Sequence, residues 1–195
     1  MAGHFIINLI NWTSTIVNIQ KRFSGNDSLL RVWAPQTIYY PKKKKYMIYW
    51  SMKHGQEQDK VYYAYANAAF NDLETIPKQL FFKPDKHSYI DGDIIYKDVK
   101  YHLFFKTDDE GSGIKIAVSH KLIEGYVLQD GYVQQTKEPV EGAGVFKLNN
   151  GEGYILMFIQ VENTNLPNNL QRGPISILII CFSLISIIIW CHTFF

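Results

Sequence analysis

Three segments of the chain share one pattern: an extended stretch, a turn and a second stretch that opens on a tyrosine. These tyrosines, Tyr46, Tyr101 and Tyr154, lie 55 and 53 residues apart. The stretches are rich in Tyr, Phe, Ile and Val, residues that favour strands. Repeats of roughly 50 residues with three or four antiparallel strands are typical of β-propeller blades. The sequence therefore predicts an all-β fold, in which residues 1–158 form a partial β-propeller of about three blades.

The amino-acid composition excludes several classes of protein and of binding partner. Apolar residues make up 47% of the 195 residues and charged residues 19%, a balance that excludes a disordered chain. The formal net charge of +2 gives no electrostatic footprint for nucleic acid. Neither the six histidines nor the two cysteines, Cys181 and Cys191, follow the spacing of a transition-metal site. We therefore expect no nucleic-acid partner, no metal and no cofactor.

The C-terminal segment differs from the body. Residues 159–173 are predicted to form an Asn-rich linker, and from Pro174 to Phe195 only His192 has a side chain that can become charged. An apolar helix over residues 174–195 is long enough to span a bilayer and would attach the chain to a membrane. A tail produced by a frame change or by read-through is the other interpretation, and both stay open. No secretory signal is visible at the N-terminus, so the compartment stays open too.

Carboxylates recur near the start of the first strand of the repeats. Equivalent positions there hold Gln36, Asp91 and Glu141. In a propeller the inner strands line the central channel, so these side chains are expected to converge. Two carboxyl groups in different environments suit glycoside hydrolysis, where one protonates the leaving oxygen and another activates water. An acidic residue at a strand start is also typical of a turn or a solvated edge, and that alternative stays open.

The motifs around these residues resemble glycoside hydrolase family 43, the five-bladed propeller enzymes that attack arabinose- and xylose-containing polysaccharides. The resemblance runs in order over roughly residues 5–158. Its motifs are Asn8-Leu9-Ile10-Asn11-Trp12, Trp33-Ala34-Pro35 with Tyr46-Met47-Ile48-Tyr49-Trp50, Ile90-Asp91-Gly92-Asp93-Ile94-Ile95 with Lys100-Tyr101-His102-Leu103-Phe104-Phe105-Lys106, and Glu141-Gly142-Ala143-Gly144-Val145-Phe146-Lys147. It implies a partial family-43 domain that is truncated at both ends.

The resemblance implies a role for each of five residues. Glu141 matches the general acid, and Asp91 matches the aspartate that orients this acid and modulates its pKa. Asp93 is the neighbouring alternative to Asp91 and a candidate for substrate binding. Trp33 is the best candidate for an aromatic wall beside the sugar ring. Gln36, which stands where the family usually has Glu, is the remaining substrate-binding candidate.

The departures from the family pattern predict weak catalysis. The family's general base is an aspartate on an inner strand that should precede Asn8, and we expect it to be missing from this chain. Ala143 also replaces a usual proline. An inverting mechanism needs both an acid and a base, with water between the base and the sugar. Whether the chain is an active enzyme therefore stays open.

Two functions follow from these expectations. The first is an inverting, acid–base glycoside hydrolase for arabinosyl or xylosyl linkages, impaired in catalysis. Its partner is an arabinosyl- or xylosyl-containing oligosaccharide or polysaccharide. The alternative is a membrane-tethered carbohydrate-binding or structural module that does no catalysis, with residues 174–195 as the tether.

Overall fold

The computed structural model of the chain is built almost entirely of strands. It describes residues 2–6, 12–22, 28–107, 113–133, 139–149, 151, 153–161, 175–182 and 188–191. Within these ranges the one helical element is a short 3-10 turn at Gln20–Arg22. The predicted all-β class is therefore confirmed.

The strands form one antiparallel pair and three four-stranded sheets. The pair is β1 (Ala2–Ile6) with β2 (Trp12–Ile16). Sheet 1 holds β3 (Leu29–Tyr40), β4 (Lys45–His54), β5 (Lys60–Tyr65) and β6 (Lys78–Phe81). Sheet 2 holds β7 (Tyr89–Lys97), β8 (Lys100–Thr107), β9 (Gly113–Ser119) and β10 (Val127–Leu128). Sheet 3 holds β11 (Val140–Lys147), β12 (Tyr154–Val161), β13 (Ile175–Phe182) and β14 (Ile188–Cys191). In each sheet, strands that are consecutive in sequence are neighbours, which is the strand order of a propeller blade.

In each four-stranded sheet, the tight turn between the first and second strands contains a residue with a left-handed backbone conformation. In sheet 1 the turn ends on Lys44, which has a φ of 53°. In sheet 2 only Asp98 and Val99 connect β7 to β8, and their φ values of 50° and 57° are those of a type I′ hairpin turn. In sheet 3 Gly151 has a φ of 76° and donates a 2.9 Å hydrogen bond to the Leu148 carbonyl. These turns help to fix the register between the first and second strands of each sheet.

The chain divides into two compact units. The first unit comprises Met1–Ile90 with Leu122–Glu124, and the second comprises Asp91–Lys121 with Gly125–Phe195. Each unit has its own apolar core, as expected for sheets that bury one face. The core of the first includes Val17, Ile19, Trp50, Met52, Ala64 and Leu73. The core of the second includes Phe104, Ile114, Val140, Ala143, Val145, Leu156 and Phe158, so sheets 2 and 3 pack against each other there.

The predicted C-terminal apolar helix is wrong for the part of the segment that the structure describes. Strand β13 pairs with β12 along its whole length, from Val161 opposite Ile175 to Tyr154 opposite Phe182. Strand β14 then pairs with β13. The physical reason is that an Ile-rich run has a high strand propensity and that β12 offers it an edge to pair with. Composition and length alone could not show that edge.

Among the described residues no helix is long and apolar enough to cross a membrane. Residues 162–174, which include most of the predicted linker, lie outside the described residues. Strand β12 continues to Val161, three residues beyond the predicted end of the propeller-like domain.

Candidate active site

Two carboxylates of β7 bind backbone amides of β11. The Oδ2 atom of Asp91 accepts a hydrogen bond from the Gly142 amide at 3.1 Å. The Oδ2 atom of Asp93 accepts one from the Val145 amide at 2.6 Å. These strands are the first strands of sheets 2 and 3, and all four residues belong to the second unit. The structure therefore brings Asp91 beside the peptide group that follows Glu141.

A β-bulge in β11 and the position of this strand at the edge of sheet 3 leave these amides open to side chains of β7. The pairing of β11 with β12 shifts register between Glu141 and Gly144. Residues within a bulge are left out of the regular ladder, and their amides then need other acceptors. Gly142 has a φ of 70°, a conformation that glycine adopts without steric cost. The bulge and the carboxylates of β7 thus fix the backbone on which Glu141 stands.

The Glu141 carboxylate forms an ion pair that the sequence analysis did not predict. The Nζ atom of Lys106, on β8, donates to its Oε2 atom at 2.8 Å. The side chains of Lys106 and Glu141 are 20% and 40% exposed, and ion pairs in such settings contribute only about 0–1 kcal/mol to stability. A general acid must carry a proton when it meets the leaving oxygen. The pair, in contrast, is an interaction of the ionised carboxylate.

Strand alternation could have located Lys106. Residues two apart on a strand lie on one face, so Lys106 shares its face with Phe104. Phe104 packs in the same core as Val140 and Leu156 of sheet 3. The face of β8 that carries Lys106 is therefore the face that meets sheet 3, where Glu141 lies.

A left-handed residue marks a corresponding point in the first strand of each sheet. These residues are Ala34, Asp91 and Gly142, with φ values of 48°, 54° and 70°. In β3 the register also shifts between Trp33 and Gln36, around Ala34, as it does in β11 around Gly142. The three strands therefore share one local bend.

This bend changes the correspondence predicted from the sequence, which aligned Gln36, Asp91 and Glu141. Relative to the left-handed residue, Glu141 lies one position earlier and Gln36 two positions later. The reason is that a bulge inserts residues that strand alternation does not count. Trp33, not Gln36, therefore occupies the position in β3 that Glu141 occupies in β11.

Trp33 and Gln36 belong to the first unit, whereas Asp91, Asp93 and Glu141 belong to the second. The Trp33 side chain is 46% exposed, unusually high for so large an apolar ring. Gln36 is exposed and stands opposite Tyr49 in the pairing with β4. The first unit thus presents an aromatic ring and an amide to solvent.

A buried carboxylate holds a guanidinium group against the Trp33 ring. The Cζ atom of Arg31 lies 4.0 Å from the ring centroid. Asp59 accepts hydrogen bonds from Arg31 Nε at 2.8 Å and from Arg31 Nη2 at 2.5 Å. Burial raises the pKa of Asp59, but hydrogen bonds from Arg31 and Ser88 together lower this pKa by more, so it lies below its usual value. Alternation on β3 could have placed Arg31 beside Trp33, but nothing local marks Asp59 as its partner.

Metal ligation has no support in the part of the chain that the structure describes. No group of three or more His, Cys, Asp and Glu side chains there is arranged to hold a metal ion.

A family model described as a probable glycosyl hydrolase domain, and related to glycoside hydrolase family 43, matches residues 7–167. The chain belongs to this family. The resemblance predicted from the motifs around Trp33, Asp91 and Glu141 is thereby confirmed. No curated protein sequence matches the chain.

Solved family-43 structures share the fold. A thermostable family-43 glycoside hydrolase superposes with a TM-score of 0.60 at 11% identity, over 82% of this chain and 58% of that one. An α-L-arabinofuranosidase from Lactobacillus brevis superposes with a TM-score of 0.59 at 14% identity, over 87% of this chain and 56% of that one. An endo-1,4-β-xylanase from Bacteroides thetaiotaomicron VPI-5482 superposes with a TM-score of 0.53 at 12% identity, over 98% of this chain and 85% of that one. At such identities the likeness shows the fold alone. This chain spans little more than half the length of the first two.

Proposed function

We propose that the chain is a family-43 glycosidase-like domain that binds arabinosyl- or xylosyl-containing saccharides beside Asp91 and Glu141 and hydrolyses them slowly. The observation that carries the proposal is the hydrogen bond from the Gly142 amide to the Asp91 carboxylate. It places Asp91 of sheet 2 beside the peptide group that follows Glu141 of sheet 3, within a chain whose residues 7–167 match the family. The family's solved members include an α-L-arabinofuranosidase and a β-xylosidase/α-arabinofuranosidase, which supports pentose-containing substrates.

Each acidic residue has a distinct part in this proposal. The carboxyl group of Glu141 gives its proton to the glycosidic oxygen as the bond to the anomeric carbon breaks. A water molecule attacks that carbon from the opposite face and loses its proton to bulk water, because no described residue is assigned as the base, and this makes the step slow. Asp91 accepts a hydrogen bond from the Gly142 amide and so holds the peptide group that follows Glu141. Asp93, which binds the Val145 amide, fixes β11 just beyond the bulge.

Slow hydrolysis is supported by the surroundings of Glu141. The ion pair with Lys106 engages the carboxylate in its ionised form, so the pair must open before Glu141 can act as an acid. Ala143, two residues after Glu141, replaces a proline that is usual in the family that the motifs resemble. A saccharide-binding domain without catalysis is accordingly the second candidate function, favoured by the Lys106 pair.

Hydrolysis of aryl α-L-arabinofuranosides and aryl β-D-xylosides tests the proposal, with Glu141→Gln as the control because it keeps the shape of the side chain but cannot donate the proton. We expect saccharide binding by both proteins and a wild-type turnover that is slow but exceeds that of the control. Equal turnover would favour the binding domain without catalysis. Fast turnover that disappears in Glu141→Gln would support the hydrolase and contradict the slow catalysis. Failure of both proteins to bind xylotriose and arabinotriose would contradict the proposed function.

A further inference from the structure

We propose that Asp59 and Arg31 are positioning residues that hold the Trp33 indole as a one-sided stacking platform for a sugar ring. The inference rests on the proposed function, since a stacking platform requires that the chain bind a saccharide. It concerns the first unit alone and follows from a chain of contacts that runs from a buried carboxylate to an exposed ring.

The first step is the immobility of the Asp59 carboxylate. Its side chain is fully buried, and its Oδ2 atom accepts a 3.0 Å hydrogen bond from the Ser88 hydroxyl. The backbone of Asp59 is tied to the same segment, because its amide donates to Ser88 Oγ at 3.3 Å and its carbonyl accepts from the Tyr89 amide at 3.0 Å. A carboxylate held by both its side chain and its backbone offers a fixed point to a partner.

The second step is the orientation of Arg31. Two nitrogens of its guanidinium group, Nε and Nη2, bind the two oxygens of Asp59. This two-pronged contact fixes the plane of the group, which a single contact could not do. Arg31 and Trp33 lie two residues apart on β3, so their side chains share a face. The guanidinium group therefore lies over the indole at 4.0 Å from its centroid.

The third step is the surface that remains open on Trp33. Of the two tryptophans whose side chains the structure describes, Trp33 is 46% exposed and Trp50 only 1%. Arg31 lies against one face of the Trp33 ring, and nearly half of the residue's surface is open to solvent. A ring that is already held in place loses little conformational freedom when a flat apolar sugar face stacks on it. A guanidinium group behind the ring also supports it through a cation–π contact.

Saccharide titrations of matched variants test the inference, with xylotriose and arabinotriose as the probes. Arg31→Lys keeps the charge but loses the planar, two-pronged contact, and we expect its affinity to fall about three- to tenfold. Arg22→Lys makes the same substitution in another ion pair of the first unit, with Asp72, and should keep wild-type affinity. Trp33→Ala should bind more weakly than either.

A spectroscopic signature separates positioning from mere stability. In the wild-type protein the side-chain protons of Arg31 lie in the ring current of Trp33 and should resonate upfield in NMR spectra. Asp59→Asn should abolish this shift, and Ser88→Ala, a milder change to the same carboxylate, should reduce it. Persistence of the full shift in Asp59→Asn would overturn the inference.

The outcomes distinguish the two proposals. Equal affinities of wild type and Arg31→Lys, together with weaker binding by Trp33→Ala, would overturn the positioning role and leave the proposed function standing. Absence of saccharide binding by the wild-type chain would overturn the proposed function and the platform with it. A loss of affinity in Arg31→Lys but not in Arg22→Lys would support both.

Discussion

Asp59 is a buried acidic residue whose ionisation couples folding to pH. Its carboxylate is fully buried and pairs with Arg31. Burial raises its pKa, but the hydrogen bonds from Arg31 and Ser88 lower that pKa by more, to below the value of about 3.9 typical of an unfolded chain. A group whose pKa is lowered on folding adds stability above its unfolded pKa, and this stability is lost as the pH falls through the folded pKa.

We therefore expect the free energy of unfolding to decrease below about pH 4, partly because Asp59 becomes protonated. Asp59→Asn removes this contribution, so its unfolding free energy should depend less steeply on pH. At pH 7 the variant should be less stable by about 3 kcal/mol, because Arg31 loses its buried partner. Urea denaturation between pH 3 and pH 7 measures both effects.

The control for this experiment is Asp130→Asn, which changes an exposed aspartate and should keep the wild-type pH dependence. Equal pH slopes for wild type and Asp59→Asn would show that the buried pair does not couple folding to pH.

At the scale of single residues, the sequence predicted the side chains that belong to motifs and missed those fixed by distant partners. Asp91 and Glu141 stand in short motifs, so they could be named without knowledge of the fold. Lys106 and Asp59 have no motif. Their partners, Glu141 and Arg31, lie 35 and 28 residues away, and only the folded sheets bring them together.

The hairpin between β7 and β8 is the element with the clearest local strain. Val99 has a φ of 57°, and a β-branched residue in the left-handed region crowds its own backbone. Val99→Gly produces the Asp-Gly pair that type I′ turns favour. We expect this substitution to raise the free energy of unfolding by about 1 kcal/mol, as measured by urea denaturation.

Val127→Gly is the matched control, because Val127 is also exposed but has no left-handed conformation. This second substitution should lower the stability, since glycine weakens a strand. A Val99→Gly protein no more stable than wild type would contradict the turn geometry.

The contact between β7 and β11 makes its own prediction. Asp93→Ala removes the acceptor of the Val145 amide, so this amide should exchange its hydrogen at least about tenfold faster. Hydrogen exchange followed by NMR measures the change, with Asp130→Ala as the control. Unchanged protection of Val145 would mean that Asp93 does not hold β11 against β7.

Strands could be predicted from the sequence where the residues of a short stretch by themselves favour a strand. Aromatic and β-branched stretches gave strands in the body of the chain, as Tyr46 in β4, Tyr101 in β8 and Tyr154 in β12 show. The apolar run from Ile175 was not predictable in this way, because its length and hydropathy suit a helix as well as a strand. The free edge of β12 decides between the two, and that edge exists only after folding.

At the scale of the whole molecule, sheet 3 depends on its last two strands. Removal of all residues after Val161 deletes β13 and leaves the edge of β12 open to other chains. We expect this truncation to self-associate, as measured by size-exclusion chromatography with light scattering. A truncation after Phe182, which keeps β13, should associate less. If the two truncations were equally monodisperse, β13 would not be the strand that covers β12.

The central claim is that Asp91 and Glu141 act together in one saccharide site. A double-mutant cycle in xylotriose and arabinotriose binding, with Asp91→Asn, Glu141→Gln and the double variant, tests it most directly by calorimetry. Residues that share a site should show a coupling free energy of at least about 0.5 kcal/mol. Additive effects, or affinities that neither substitution changes, would contradict the account.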